Sequence, residues 1–158
     1  EAITLASGVP SAIVRPNIMY GWNYPFERAN VVTLALASLS IGQTFRAYED
    51  VYAKPLFAGQ CAGAISEIIL QNRYETFNLA GKDRVSIYEL LVKAARIFGL
   101  KEDLIVPVRQ GFFEELVPRP KDTAFRTTKM EEVLGVAPLC VEDGLSVMKQ
   151  RKGSICEE

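Results

Sequence analysis

Ser11-Ala12-Ile13-Val14-Arg15-Pro16-Asn17-Ile18-Met19-Tyr20-Gly21 is the stretch whose reading decides the fold. It opens on apolar residues that do not alternate with polar ones, the pattern of a parallel strand buried on both faces. It closes on Arg15, Pro16 and Asn17, so polar chemistry sits at the carboxyl end of the strand. In open α/β sheets that end is where ligands bind. Taken by itself, the segment reads more plainly as a strand and a turn, with Arg15 solvated or paired.

Helices and strands alternate outward from this stretch. Upstream, residues 1–7 read as the last turns of a helix, stopped by Gly8 with Pro10 just beyond. Downstream, an aromatic-rich loop (21–25) leads into 28–40, which is apolar on most faces and closes at Gly42, as in a largely buried helix. Residues 44–48 and 51–57 read as short strands with Glu49-Asp50 as the turn between them. The spacing of Ile65, Ile68 and Ile69, with the small Ala62 and Ala64, predicts a closely packed helix over 60–71. Residues 76–80 form a strand ended by Gly81, and Ser86-x-x-Glu89 is a capping box opening an amphipathic helix that Gly99 stops. A strand at 104–108, a helix begun by Thr128-x-x-Glu131 and closed by Gly135, and a helix at 141–149 complete the chain. This alternation predicts α/β architecture with mostly parallel strands. Only 12–19 and 76–80 read as fully buried sheet members. A parallel sheet needs neighbours on both edges, so the chain holds an incomplete sheet whose centre is expected to come from elsewhere.

Composition narrows the function. The 158 residues suit one domain with a sizeable core, and 49% apolar with 23% charged residues excludes disorder, collagen and coiled coil. Eighteen basic against 19 acidic residues leave a net charge of −1, which gives no footprint for nucleic acid or an anionic membrane. With no histidine, imidazole acid–base catalysis, the Ser-His-Asp triad and histidine-bound metals are all excluded. Cys61, Cys140 and Cys156 form no Cys-x-x-Cys pair and suit a reducing compartment. Without a basic-then-apolar leader or an apolar run of membrane length, the expected location is cytoplasmic. Residue 1 is Glu rather than Met, and the chain is expected to be a piece of a longer protein.

Three other motifs could carry chemistry. On 42–48, Phe45 and Tyr48 offer faces for stacking on a nucleobase and Arg46 offers charge to its phosphates, although the same residues could fill a core. Arg119-Pro120-Lys121-Asp122 is a polar loop in which Arg119 presents a planar fork suited to a diphosphate; its plainer reading is a solvated loop with an ion pair. Gly59-x-x-x-Gly63 lacks the Lys-Ser or Lys-Thr of a phosphate loop and reads as a site of close helix packing. Glu114-Glu115 and Glu131-Glu132 are adjacent in sequence, point to different sides of a helix and make no catalytic dyad. Cys61, among small residues, reads as a buried small hydrophobe.

Taken in order, these segments resemble the C-terminal half of the extended short-chain dehydrogenase/reductases that act on sugar nucleotides, nearest the dTDP-4-dehydrorhamnose reductase branch. The resemblance rests on Arg-Pro…Tyr-Gly after a strand, Asn30-Val31-Val32 opening a helix, a Gly-x-x-Phe-Arg strand, and Pro55 before a small-residue helix. A Phe-Asn-Leu-Ala-Gly strand end and Arg-Pro-Lys-Asp…Thr-Lys…Leu-Gly complete it, across residues 1–147. It implies an α/β fold: the C-terminal part of an NAD(P)-binding Rossmann-like fold, an incomplete parallel sheet with a small substrate-binding subdomain. Residues 1–158 are then a single fragment, with residual Rossmann strands near 11–20 and 76–80 and the dinucleotide-binding half absent.

The family's chemistry is hydride transfer to or from NAD or NADP, assisted by Tyr-x-x-x-Lys. This chain has neither Tyr-x-x-x-Lys nor Gly-x-x-Gly-x-x-Gly, so no catalytic residue is assigned within it, and no cofactor is expected for the chain alone. Position by position, the resemblance puts Pro16, Asn17 and Ile18 at the nicotinamide end of the pocket. It gives Ile18, Asn30, Phe45, Arg46 and Arg119 to the nucleotide sugar. Ile18 stands where many epimerases have asparagine and the rhamnose reductases tryptophan, Gln60 where many members carry aspartate, and Phe57 where the epimerases carry histidine. The implied parent is a 4-keto sugar-nucleotide reductase. An epimerase or dehydratase parent, and a non-catalytic binding protein of the same fold, stay open. The implied partners are a nucleotide sugar and either a missing N-terminal half or a second chain covering the sheet edge, with no nucleic acid and no membrane.

Overall fold

The computed structural model describes residues 1–24, 26–113 and 120–151. In chain order they form α1 (Ala2–Ala6), β1 (Ile13–Pro16), β2 (Met19–Tyr20), α2 (Val31–Ser40), β3 (Phe45–Tyr48), β4 (Tyr52–Ala53) and β5 (Leu56–Phe57). There follow α3 (Ala58–Leu70), β6 (Thr76–Leu79), β7 (Val85–Ser86), α4 (Ile87–Phe98), β8 (Ile105–Val108), α5 (Thr128–Leu134) and α6 (Val141–Gln150). The strands associate in four pairs. β1–β6, β2–β5 and β3–β8 are parallel, and β4–β7 is antiparallel.

Local chemistry explains where the helices begin and end. In α4 the Ser86 hydroxyl accepts from the Glu89 amide at 3.1 Å, while the Glu89 carboxylate accepts from the Ser86 amide at 2.7 Å. Gly99 ends that helix in the left-handed region, φ 72°, where a Cβ is costly. Asn30 caps α2 by accepting from the Val32 and Thr33 amides. The short α5 starts one residue earlier than its motif suggests. Thr127 is the N-cap, and its hydroxyl donates to the Glu131 carboxylate at 2.6 Å instead of capping the backbone.

Among the described residues two larger apolar cores result, beside a small cluster of Tyr48, Val51 and Val108. In one, α2, α4 and α6 enclose Val32, Leu36, Leu90, Leu91 and Leu145, with Ala94 and Ala95 letting the helices approach closely. In the other, α3 and α5 cover the β1–β6 pair through Ile68, Phe77, Leu79 and Met130. Full burial of each large side chain contributes about 1.5–3 kcal/mol. Near the end of β6, a Cβ on Gly81 would stand 2.0 Å from the Pro55 carbonyl oxygen, so only glycine allows the two segments to cross there.

Four expectations from sequence need correction. β1 is not buried on both faces: Ile13 and Val14 are half-buried, and Arg15 and Pro16 are exposed. The Ile13 and Asn17 amides donate toward β6, to Glu75 and Leu79, which turns the backbone groups of Val14 to the opposite edge. Among the described residues no strand pairs with that edge. Glu49-Asp50 does lie between two strands as expected, and the Glu49 amide donates to the Val108 carbonyl, extending the β3–β8 ladder. Residues 51–57 divide into β4 and β5, which pair with different partners. Helix α2, apolar on most faces, buries Val32, Ala35, Leu36 and Leu39 and leaves Leu34 exposed. Gly63 meets no atom within 4 Å of a built Cβ; the close approach in that motif is at Gly59, where the Phe57 ring would lie 2.6 Å away. Cys61 is buried as expected, and burial raises its thiol pKa.

Candidate functional site

The carboxyl ends of β1 and β3 open on a cavity of about 530 Å³. All four residues of β3 line it, and Ile18 reaches it from the turn after β1. Its walls are mostly apolar: Val31 comes from the first turn of α2, Val51 and Ala53 from around β4, and Ile87 from the start of α4. Aromatic rings close one side. Phe113 stands edge-on to Tyr48 at 5.5 Å and to Phe112 at 5.1 Å. The Arg46 guanidinium lies over the Phe112 ring, 5.4 Å from its centre. Among the described residues Arg46 has no carboxylate partner, whereas Arg15, Arg84, Arg96 and Arg109 are each paired with an acid. The site therefore combines apolar aromatic walls with a guanidinium that has no acid beside it among the described residues, which suits a planar ring joined to an anion.

Pro120 and Thr123 form another part of the wall. Thr123 is anchored on both sides: its amide donates to the Tyr52 carbonyl at 3.0 Å, and its own carbonyl accepts from the Asn17 side chain at 2.6 Å. Asn17 is buried and its side-chain oxygen accepts from the Ile18 amide at 2.7 Å, so both polar atoms of that side chain are engaged.

The structure thus brings Ile18, Phe45 and Arg46 together at one cavity. Pro16 lies exposed at the end of β1, beside them in sequence. Asn30 lines a neighbouring cavity of about 550 Å³ with Met19 and Arg28, and its side-chain nitrogen also donates to the Gly21 carbonyl at 2.8 Å. Arg119 lies outside the described residues, although Phe113 and Pro120, on either side of residues 114–119, both line the first cavity. Sequence reasoning missed Ile87, Phe113 and Thr123. The adjacent aromatics Phe112-Phe113 beside Gly111 were the available signal; nothing in the sequence marked Ile87 or Thr123.

Two other groups of titratable residues lie outside this cavity. The Tyr20 phenol is held above its ordinary pKa of 10.0, first by burial and then by the acidic groups of Cys140, Asp83 and Glu142. Ligand atoms of Asp83, Cys140 and Glu142 lie within 4.8 Å of one another. Each already has a partner at the start of α6 or on α4. Asp83 accepts from the Val141 amide, Cys140 from the Asp143 amide, and Glu142 pairs with Lys93.

No family model matches the sequence, and no curated protein matches it significantly. Solved structures do match in three dimensions. A dTDP-4-dehydrorhamnose reductase from Bacillus anthracis, solved with NADP, superposes with a TM-score of 0.79 at 20% identity, over 89% of this chain and 48% of that one. The fold is that of part of an extended short-chain dehydrogenase/reductase. A dTDP-glucose 4,6-dehydratase from the same organism, solved with NAD, gives 0.74 at 19% identity over 94% of this chain and 46% of that one. A UDP-N-acetylglucosamine 4-epimerase from Bacillus cereus gives 0.71 at 15% identity over 94% and 48%. The chain therefore spans about half the length of the structures it matches. Among the described residues no helix is long and apolar enough to cross a membrane.

Proposed function

We propose that residues 1–158 are the substrate-binding half of an NAD(P)-dependent enzyme that reduces a 4-keto sugar nucleotide. The observation that supports this reading is the aromatic-walled cavity with, in its wall, the Arg46 guanidinium, which has no carboxylate partner among the described residues. A nucleobase stacks among Phe45, Tyr48 and Phe113, and Arg46 meets the phosphates that follow it. Asn30 and Arg119 continue the diphosphate path, and Pro16, Asn17 and Ile18 border the nicotinamide end. Binding energy gathered on the nucleotide, remote from the reacting carbon, holds the keto group in place for reduction.

The residues present do not fit a dinucleotide by themselves, because the chain has no Gly-x-x-Gly-x-x-Gly turn to cradle its diphosphate. It has no Tyr-x-x-x-Lys either, so proton transfer is not assigned to any of its residues and the chain alone is inactive. The dinucleotide half, in the same protein or in a second chain, covers the open edge of β1; the twofold greater length of the matching structures supports this.

Calorimetric titration of the chain with dTDP tests the binding site. Arg46→Ala is expected to weaken dTDP binding about tenfold, the effect of losing one charge-assisted contact, without lowering the melting temperature. No heat at millimolar dTDP would refute the nucleotide reading. NADPH oxidation by the full-length protein supports a reductase. Epimerisation or dehydration without net NADPH loss would favour the second reading, to which the slightly longer overlap with the dehydratase and epimerase lends some weight. Turnover by a verified 158-residue preparation would refute the assignment of inactivity.

A further inference from the structure

We propose that Asn17 is a positioning residue: its carboxamide braces two walls of the 530 Å³ cavity, at Ile18 and at Thr123, and so fixes the width available to a flat ring. The role of that width rests on the nucleotide reading given above; the brace itself does not.

Asn17 is 6% exposed, and a buried amide that lost its partners would be costly. Its side-chain nitrogen donates to the Thr123 carbonyl at 2.6 Å, across 106 positions of sequence, and its oxygen accepts from the Ile18 amide at 2.7 Å. Its backbone amide, donating to Leu79 at 2.8 Å, fixes the residue to the end of the β1–β6 ladder. The brace therefore has a rigid foot. Beyond it, residues 121–123 run alongside Tyr52: the Tyr52 amide donates to Lys121 and the Thr123 amide to Tyr52. A second tether holds the same segment from outside, where Arg84 stacks on the Tyr52 ring and pairs with Asp122 at 2.9 Å. Both partners of that ion pair are about half exposed, so it holds the segment weakly. The buried bond from Asn17 carries the position of the wall.

Side-chain chemistry makes this separable by mutation. A carboxamide places a donor and an acceptor on one short planar group. Asn17→Asp keeps the acceptor for Ile18 and loses the donor to Thr123, whereas Asn17→Ala loses both. Amide hydrogen exchange of the 158-residue chain, followed residue by residue by NMR, is read beside dTDP affinity. For Asn17→Asp, the Thr123 amide is expected to exchange about tenfold faster, the Ile18 amide to stay unchanged, and dTDP to bind roughly five- to tenfold more weakly. Asn17→Ala is expected to speed exchange at both amides. In each variant Leu90 and Leu91, in the α4 core, keep their protection. A general structural role would instead raise exchange at Thr123, Ile18 and α4 together, and that result overturns the proposal. Unchanged dTDP affinity despite a loosened Thr123 also overturns it.

The unaltered chain gives an independent measurement should a variant not fold. The Asn17 side-chain protons are expected to exchange slowly, and more slowly with dTDP bound; rapid exchange in both states refutes the brace. If the unaltered chain binds no dTDP, the nucleotide reading fails, while exchange at Thr123 in the variants still decides the brace.

Discussion

Gly144→Ala is a substitution for which helix propensity and packing predict opposite signs. Inside a helix such as α6, alanine is favoured over glycine by about 1 kcal/mol. Here a Cβ on Gly144 would stand 2.0 Å from the Tyr20 hydroxyl oxygen, 3.0 Å from its ring carbon Cζ and 3.2 Å from Phe57 Cβ. Tyr20 has little room to retreat. It is 2% exposed, its ring centre lies 5.9 Å from that of Phe57, and its hydroxyl donates to the Val141 carbonyl at 3.4 Å. Overpacking of this kind costs about 1–3 kcal/mol, and the short contact places this site toward the upper end. After the propensity gain, a net loss of about 1–2 kcal/mol is expected, a fall of roughly 2–8 °C in melting temperature for a chain of this size. Thermal and urea denaturation measure it, and a double-mutant cycle with Tyr20→Phe identifies the cause. Removing the hydroxyl alone costs only about 0.5–1 kcal/mol, since its hydrogen bond is long. In the Tyr20→Phe background, Gly144→Ala should lose no more than half of what it loses alone. A Gly144→Ala chain as stable as the parent, or losses that simply add in the double variant, would refute the reasoning.

Two further predictions concern stability. Ser86→Ala removes the hydroxyl that accepts the Glu89 amide, and is expected to cost about 1 kcal/mol, seen as a lower urea midpoint at unchanged slope. An unchanged midpoint would show that the capping box contributes nothing to α4. Stability should also be flat from neutrality to about pH 5 and decline below about pH 4. Glu1, Glu75, Glu102 and Glu142 are held below their ordinary 4.5 by Arg15, Lys129, Arg96 and Lys93, and Asp122 below 3.8 by the Ala124 amide and then Arg84. Lowered folded values mean a contribution that is complete above the unfolded values and lost as pH falls through the folded ones. These groups are exposed, so the decline should be shallow and weakened by salt. Urea midpoints from pH 3 to 7 test this, and a loss between about pH 5 and 7 contradicts it.

What could be read from the sequence was what local chemistry determines. The Ser86–Glu89 box, the stop at Gly99 and the apolar face of Leu90, Leu91, Ala94 and Ala95 define α4 without reference to the rest of the molecule. The burial of β1 could not be read in this way, because burial of a parallel strand depends on its neighbours and, among the described residues, only β6 lies beside it. Val51–Phe57 likewise looks like one strand, yet Pro55 falls in the break between β4 and β5, which then serve different partners. Phe45 and Arg46 drew attention by their residue types on one short strand, and Ile18 only through the resemblance; the structure places all three in the wall of one cavity. Ile87 and Thr123 reach it through the β4–β7 pairing and the bridge between Tyr52 and Asp122, long-range contacts that leave no local pattern.

The pairing scheme also has a kinetic consequence. Among the described residues no strand pairs with the next strand along the chain. Even the shortest-range ladder joins Ala53 to Val85, and β1 waits for residues as distant as Thr76. Every ladder must close a long loop before any of its hydrogen bonds repay the lost chain entropy. The chain should therefore refold slowly for its size, with α4 acquiring helical structure before any ladder is in place. Stopped-flow circular dichroism should show helix signal rising ahead of Trp22 fluorescence, because Trp22 reaches its native contacts, on Phe98 and the Met148 carbonyl, only after α4 and α6 have docked.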